Sequence, residues 1–290
     1  MRLGVLCSGS LGYSLLNYLR DNWVVDFVCT DLNSKPIIKY CEGNNINLFV
    51  GNPRNGKISG FINDKVIDVL ISVNYLFVVD SDLIRLPKLS AFNVHGSLLP
   101  RYRGRTPHVW SIINNEKVTG ITAHLIDEGC DTGDIIDQVI IPIANDDTGA
   151  ILLQKYEVAY IPLIHSILEK IESNQLSVTP QENSKATFYG KRTPEDGLIN
   201  WNWQKERINN WVRALSEPYP GAFSFYGNHK VIIDAISYSD FGYHFNSDNG
   251  TILSINPLIV KTPNGAIEIV RLRDCEINFA LETKFIDRLL

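Results

Sequence analysis

The sequence predicts an α/β protein: a Rossmann-like, doubly wound, mostly parallel sheet followed by a smaller β-rich, barrel-like domain. Three observations carry this. The chain opens on an apolar run, a glycine-bearing turn, an amphipathic stretch and a second apolar run. Apolar runs then alternate with helical patterns as far as a long apolar-periodic stretch that ends near residue 173. From about Lys185 short alternating segments are punctuated by Gly, Pro, Asn and Asp instead.

In order, "RLGVLC" reads as a buried strand and "SLGYSLLNYLRD" as a helix with Leu15, Leu16 and Leu19 on one side. "WVVDFVCT" follows as a strand, which completes a βαβ opening. After a loop and a weak helix come the strand "NLFVG", a predicted helix in "GKISGFINDK", and the strands "VIDVLISVNY" and "SAFNVHG". "TPHVWSIINNE" reads as a helix, "TGITAHLID" and "GDIIDQVIIPI" as strands, and "TGAILLQKYEVAYIPLIHSILEKIES" as a long closing helix. The first domain is placed at residues 1–184 and the β-rich domain at residues 185–290, the latter with one helix in "QKERINNWVRALSEP".

The 290 residues are 44% hydrophobic and 20% charged, the mix of a chain that buries a sizeable core. A formal charge of −5 disfavours a general electrostatic grip on nucleic acid or on an anionic membrane. Five scattered cysteines without CxxC spacing point to neither a disulfide framework nor a zinc knuckle. No apolar segment approaches the ~20 residues that span a bilayer, and the start reads as a strand, not a signal peptide. The expected location is the cytoplasm.

In an open α/β sheet ligands gather beyond the carboxyl ends of the strands, so Asn93 and His95, two apart after an apolar run, stand where chemistry is expected. On an extended chain they point to one side. The segment "LIDEGCDTGDII" brings Asp127, Glu128, Asp131 and Asp134 into a glycine-bearing turn after another strand. If the two strands are neighbours, Asn93, His95 and a carboxylate converge. Taken singly, His95 reads as a hydrogen-bonded loop residue and the acidic turn as a solvated turn. The turn matches no EF-hand spacing and no cysteine–histidine pair lies near it, so no metal is expected. "CSGSLG" has Gly9 and Gly12 but Cys7 where a dinucleotide fingerprint has its first glycine, which argues against a nicotinamide cofactor.

"FNVHGSLLPRYRGRTP", followed after about fifteen residues by "TGITAHLIDEGCDTGDII", resembles the formyltransferase family that uses N10-formyltetrahydrofolate. "FYGKRTPEDGLINW" and "VRALSEPYPGAFSFYGNHK" extend the resemblance over nearly the whole chain. The likeness is strongest to the enzymes that formylate aminoarabinose and nucleotide-linked amino sugars. It implies catalytic roles for Asn93, His95 and Asp131. It implies folate-pocket walls at Tyr75, Leu76 and Phe77 and at Asp127, Glu128 and Gly129. It matches Ser8, Gly9 and Ser10 to a loop that approaches substrate phosphate, and gives His124, which has a histidine counterpart in some relatives, a supporting place. A homodimer joined through the β-rich domain is also implied.

Formyl transfer to an amine needs no Ser or Cys nucleophile, because the acceptor amine is the nucleophile. It needs a stabilised oxyanion and a path for a proton. The Asn93 amide suits the first task, where one lost donor typically costs on the order of 100- to 1000-fold. His95, with an ordinary pKa of about 6.5, suits either proton transfer or a share in holding the oxyanion, and Asp131 suits orienting it.

The acceptor follows from what the chain lacks. "TDLNSKPIIKYCEGNNINLFVGNPRN" stands where methionyl-tRNA formyltransferase carries a basic insertion, and it is short and weakly charged. A small acceptor is expected, a dTDP-linked amino-dideoxyhexose such as dTDP-4-amino-4,6-dideoxyglucose for cell-surface polysaccharide (O-antigen) synthesis. Arg105, Trp110, Tyr219 and Phe223 are its candidate contacts. The competing readings are methionyl-tRNA formyltransferase, a hydrolase of the same folate, and a non-catalytic folate- or nucleotide-binding module.

Overall fold

A computed structural model describes residues 1–287. The chain divides into two compact units, Met1–Gly104 with Thr119–Ile141 and Lys155–Tyr189, and Arg105–Val118 with Pro142–Gln154 and everything from Gly190 onward. Residues 105–118 and 142–154 thus cluster with the later part of the chain, where a single cut at 184/185 assigns them to the earlier part.

Along the chain come β1 (Arg2–Cys7), α1 (Gly9–Asn22), β2 (Val24–Thr30), α2 (Lys35–Gly43), β3 (Asn47–Val50), α3 (Ser59–Ile62), β4 (Val69–Val73), α4 (Ser81–Ile84) and β5 (Ser90–His95). These are followed by β6 (Arg103–Gly104), α5 (Pro107–Ile113), β7 (Val118–Leu125), β8 (Ile135–Pro142), α6 (Gly149–Glu172), β9 (Phe188–Tyr189) and α7 (Lys205–Leu215). The last strands are β10 (Ala222–Tyr226), β11 (His229–Ser239), β12 (Ile252–Ile255), β13 (Leu258–Thr262) and β14 (Gly265–Arg273). The helix expected across 56–65 is only the single turn α3. Gly56 and Gly60 flank its start and favour coil, and Asn63 and Asp64 follow its end.

Among the described residues the main sheet has seven strands in the order β3-β2-β1-β4-β5-β7-β8. The chain winds outward from β1 to β3, then restarts at β4 on β1's other side, the switch point of a doubly wound sheet. The strands β1 to β5 pair in parallel, and β7 runs antiparallel to β5. α1 buries Leu11, Leu15, Leu16 and Leu19, each leucine contributing roughly 1.5–3 kcal/mol relative to exposure. It can approach β1 because residue 12 is glycine: a Cβ there would lie 2.9 Å from the Cβ of Cys7. Leu6, Phe27, Cys29, Ile58, Ile62, Ile67, Leu70 and Leu83 form a core cluster in this unit, against which Tyr75 and Val79 pack.

In the second unit α7 buries Ile208, Trp211, Val212 and Leu215 and packs on α5, β10, β11 and β14. The antiparallel sheet runs β10-β11-β14-β13-β12. Its two edge strands are joined through the chain's last described segment. Ile286 bridges Phe225 of β10, Lys284 bridges Thr251, and the Ile252 N–H donates to the Thr283 carbonyl at 2.8 Å. That closure gives the barrel-like form. No helix among the described residues is long and apolar enough to cross a membrane.

Candidate active site

Asn93 and His95 both lie inside β5, not beyond it, and alternate residues of a strand share a face. β7 pairs with β5 so that Asn93 stands opposite His124 and His95 opposite Thr122. Opposite residues of antiparallel strands also share a face, so Asn93, His95 and His124 form one polar patch on an otherwise buried sheet. The turn between β7 and β8 completes it. Asp131 Oδ1 lies 3.5 Å from His95 Nδ1 and 3.7 Å from His124 Nε2. The three residues expected from the sequence are therefore brought together, and His124 joins them.

Main-chain groups fix the proton positions. A carbonyl oxygen only accepts, so the 2.8 Å contact between His95 Nε2 and the Tyr102 carbonyl makes Nε2 the protonated nitrogen. Nδ1 is then the nitrogen that takes up a proton, and it faces Asp131. By the same reasoning the 2.8 Å contact of His124 Nδ1 with the Leu125 carbonyl places a proton on Nδ1 and leaves Nε2 as an acceptor. Asn93 Nδ2 donates to that nitrogen at 3.1 Å.

The segment that supplies the Tyr102 carbonyl is an unusual one. Tyr102 holds φ 60 and Gly104 φ 103, and Asp131 itself is left-handed at φ 57. A bulky residue in that region is uncommon and needs surrounding support. Tyr102 has it: its ring stacks on Tyr189 at 4.7 Å and its N–H donates to Thr187 Oγ1 at 2.8 Å. The neighbouring Arg103, 2% exposed, donates to Gln181 Oε1 and Asn183 Oδ1. Gln181 in turn donates to the carbonyls of Asp131 and Gly133, so residues 181–189 brace both the 102–104 segment and the acidic turn.

Charge at the site follows from this packing. Burial lowers the pKa of His95, partly opposed by Asp131 and by the Tyr102 carbonyl, so the ring rests neutral. Burial acts to raise the pKa of Asp131, but its closeness to His95, which becomes charged once it takes up a proton, and the Gly104 N–H, 2.8 Å from Oδ2, hold its carboxyl well below the usual carboxylate range. A neutral base beside a fixed carboxylate can take a proton and be stabilised as it does so.

The other sequence candidates fall in several places. Tyr75 and Phe77 meet edge to face at 5.5 Å after β4, and Leu76 is exposed. The next residues, Val78 to Asp82, line a cavity of about 530 Å³ with Arg54 and Glu128, a volume within the range of small-molecule sites. Desolvation raises the Tyr75 phenol, and its buried hydroxyl has no protein partner where the ring packs against the core cluster. Asp127 caps its own turn, accepting from the Gly129 N–H and the Thr132 hydroxyl, which leaves Glu128 as the turn residue facing that cavity. In the phosphate-loop candidate, the Gly9 N–H already donates to Ser34 Oγ, whose hydroxyl donates to Asp31, and Ser10 reaches Glu157 only at 3.5 Å. Ser8 is buried.

Arg105, Trp110, Tyr219 and Phe223 belong to the second unit. Arg105 is exposed. Trp110 covers the Arg192 guanidinium at 4.9 Å, Tyr219 bonds His108 at 2.8 Å, and Phe223 is buried in the barrel. A larger cavity of about 600 Å³ in this unit, lined among others by Trp201, Asn249, Lys261 and Phe285, includes none of the candidates. Arg54, Val78, Val79 and the Tyr102 and Gly104 main chain were not anticipated. Main-chain donors and acceptors leave no residue-type signal.

Two family models match the chain: formyl transferase over residues 34–161, and formyl transferase, C-terminal domain, over residues 191–286. The bifunctional polymyxin resistance protein ArnA of Wigglesworthia glossinidia brevipalpis is 33% identical over 279 residues, 95% of this chain and 42% of that protein. The chain thus spans about two fifths of the length of this curated relative. The N-formyltransferase from Helicobacter canadensis, solved with folinic acid and dTDP-3-aminofucose, superposes with a TM-score of 0.71 at 21% identity, over 92% of this chain and 98% of that one. WlaRD, a sugar 3N-formyl transferase solved with dTDP and 5-N-formyl-THF, gives a TM-score of 0.69 at 20% identity, over 100% and 99%. At these identities the two structures establish a shared fold.

Proposed function

The chain belongs to the formyl transferase family, and from that premise we propose that it moves a formyl group from N10-formyltetrahydrofolate to the amine of a dTDP-linked amino-dideoxyhexose in cell-surface polysaccharide synthesis. The observation that carries the reading is the Asn93, His95 and Asp131 set, His95 buried and the other two half-buried, with both histidine tautomers assigned by backbone carbonyls. The folate supplies a one-carbon acyl group. The chain's residues do the rest. Asn93 Nδ2 donates toward the charge that develops on the formyl oxygen. His95 Nδ1 takes the proton that the amine must lose as its nitrogen bonds to carbon, and Asp131 stabilises the imidazolium. That proton is then available to the departing folate nitrogen. Val78, Val79 and Glu128, with the aromatic pair Tyr75 and Phe77 before them, are the residues that would hold the donor.

The sugar-nucleotide acceptor is supported by the dTDP ligands of the two superposed enzymes, by the ArnA relative, and by the lack of a basic insertion before residue 56. The first acceptor to try is dTDP-4-amino-4,6-dideoxyglucose, with the 3-amino sugars beside it. The test incubates the protein and N10-formyltetrahydrofolate with a panel of dTDP- and UDP-linked amino sugars and with initiator methionyl-tRNA, reading the formamide by mass. We expect formylation of a dTDP-amino sugar. Formylation of the tRNA alone would overturn the sugar reading, and formate release at the same rate with and without every amine would leave a hydrolase.

A further inference from the structure

We propose that His124 is a positioning residue for this reaction: in its neutral, Nδ1-protonated form it fixes the side-chain amide of Asn93. The inference rests on the role given to Asn93 above, and its spectroscopic test does not. His124 is 3% exposed and stands opposite Asn93 in the β5–β7 register, so the two side chains cannot drift apart without a change in strand pairing. A primary amide left alone can present either its oxygen or its NH2 group in a given direction. Here Nε2 of His124, a lone pair because Nδ1–H is spent on the Leu125 carbonyl, accepts only from NH2. The flipped amide would set its oxygen against that lone pair. One N–H of Asn93 is thereby used in orientation and the second remains for the formyl oxygen.

The same nitrogen lies 3.7 Å from Asp131 Oδ1. A proton added at Nε2 would turn it into a donor toward Asp131, remove the acceptor that holds Asn93, and take from His95 part of its counter-ion. Neutral His124 therefore keeps two assignments apart, Asn93 for the oxyanion and Asp131 for His95. The groups that face Nε2 are Asn93 and His95 from β5 and Asp131 from the β7–β8 turn.

Two substitutions separate the two ends of the ring. Gln places an amide oxygen where Nε2 was and can accept from Asn93, whereas Asn reaches only the Nδ1 end and can keep the Leu125 contact. We expect His124→Asn to lower kcat about 10- to 100-fold, a share of what a lost oxyanion donor costs, with KM for the folate within twofold. His124→Gln should recover to within about fivefold of wild type. The reverse order would show that only the Leu125 contact matters and would overturn the proposal, as would near-normal kcat in both. Independently of any acceptor, protein carrying 15N-histidine should show at pH 7.5 a neutral His124 ring with its proton on Nδ1, identified by its loss in His124→Gln. A proton on Nε2 would overturn the proposal. If the wild type formylates no amine at all, the proposed function fails while the ring spectrum still decides this one.

Discussion

Replacing Gly104 by Ala tests whether the main chain around Asp131 is part of the machinery. At φ 103 the residue occupies a conformation that an L side chain adopts only with strain, about 1–3 kcal/mol. The added Cβ would also lie 2.2 Å from the Tyr189 carbonyl oxygen and 3.3 Å from its carbon, and Tyr189 is the β9 partner of Gly104 in a two-stranded pairing. Overpacking of this kind costs a further ~1–3 kcal/mol, so a loss of roughly 2–6 kcal/mol of stability is expected. The chemical effect follows from the same movement. The strands must part by about 1 Å, and the Gly104 N–H is one of the groups that hold the Asp131 carboxylate, so turnover should fall on the order of 100-fold. Steady-state kcat and KM, measured with urea unfolding on the same preparation, separate the two. Reduced stability with kcat within threefold of wild type would show that the N–H contact supports the fold alone, and would refute the link from Gly104 to Asp131.

His95→Ala and Asp131→Asn should each keep the thermal midpoint within a few degrees while lowering kcat by at least ~100-fold, checked by a melting scan beside the formamide assay. The pH dependence has a defined sign. Because burial holds His95 below its ordinary pKa, the acid limb of kcat/KM that it governs should lie below about 6.5, and a limb that His95→Ala removes but that lies above that value would contradict the lowering. Burial also pushes His108 down to about 4, under its unfolded value of about 6.5. The unfolded chain then binds more protons between those values, so stability present above pH 6.5 is lost as pH falls toward 4, by up to about 1.4 kcal/mol per unit. His108→Gln should flatten that slope in urea unfolding followed across pH.

The opening βαβ unit was legible because its two strands are mainly apolar runs and α1 carries its leucines at helical spacing, whereas the place of the switch, at β4, was not read from the sequence. Asn93 and His95 were legible from a two-residue spacing on a strand. Asp131 was one of four carboxylates in its turn, and only the resemblance singled it out. Tyr102 and Gly104 were beyond reach, since they act through a carbonyl and an N–H that every residue has. Residue type also cannot separate an aromatic that stacks on a ligand from one that fills a core. Phe223 was grouped with Trp110 as a substrate contact, and it lies 6% exposed with Lys230 over its ring at 3.9 Å. The clustering of residues 105–118 with a unit that begins again at 190 is non-local, and no window of the sequence contains it.

The strand-like closure of the barrel has a consequence in time. Residues 282–286 join β10 to the far edge of the sheet, and they are made some sixty residues after β10 itself. While the ribosome is still adding that stretch, the nascent sheet has two open edges able to pair with another chain. At roughly 5–20 residues per second the exposure lasts several seconds. Co-translational handling of this protein should therefore matter most while residues 227–286 are being made, when the first unit's strands have long been made and the barrel still waits for Ile286.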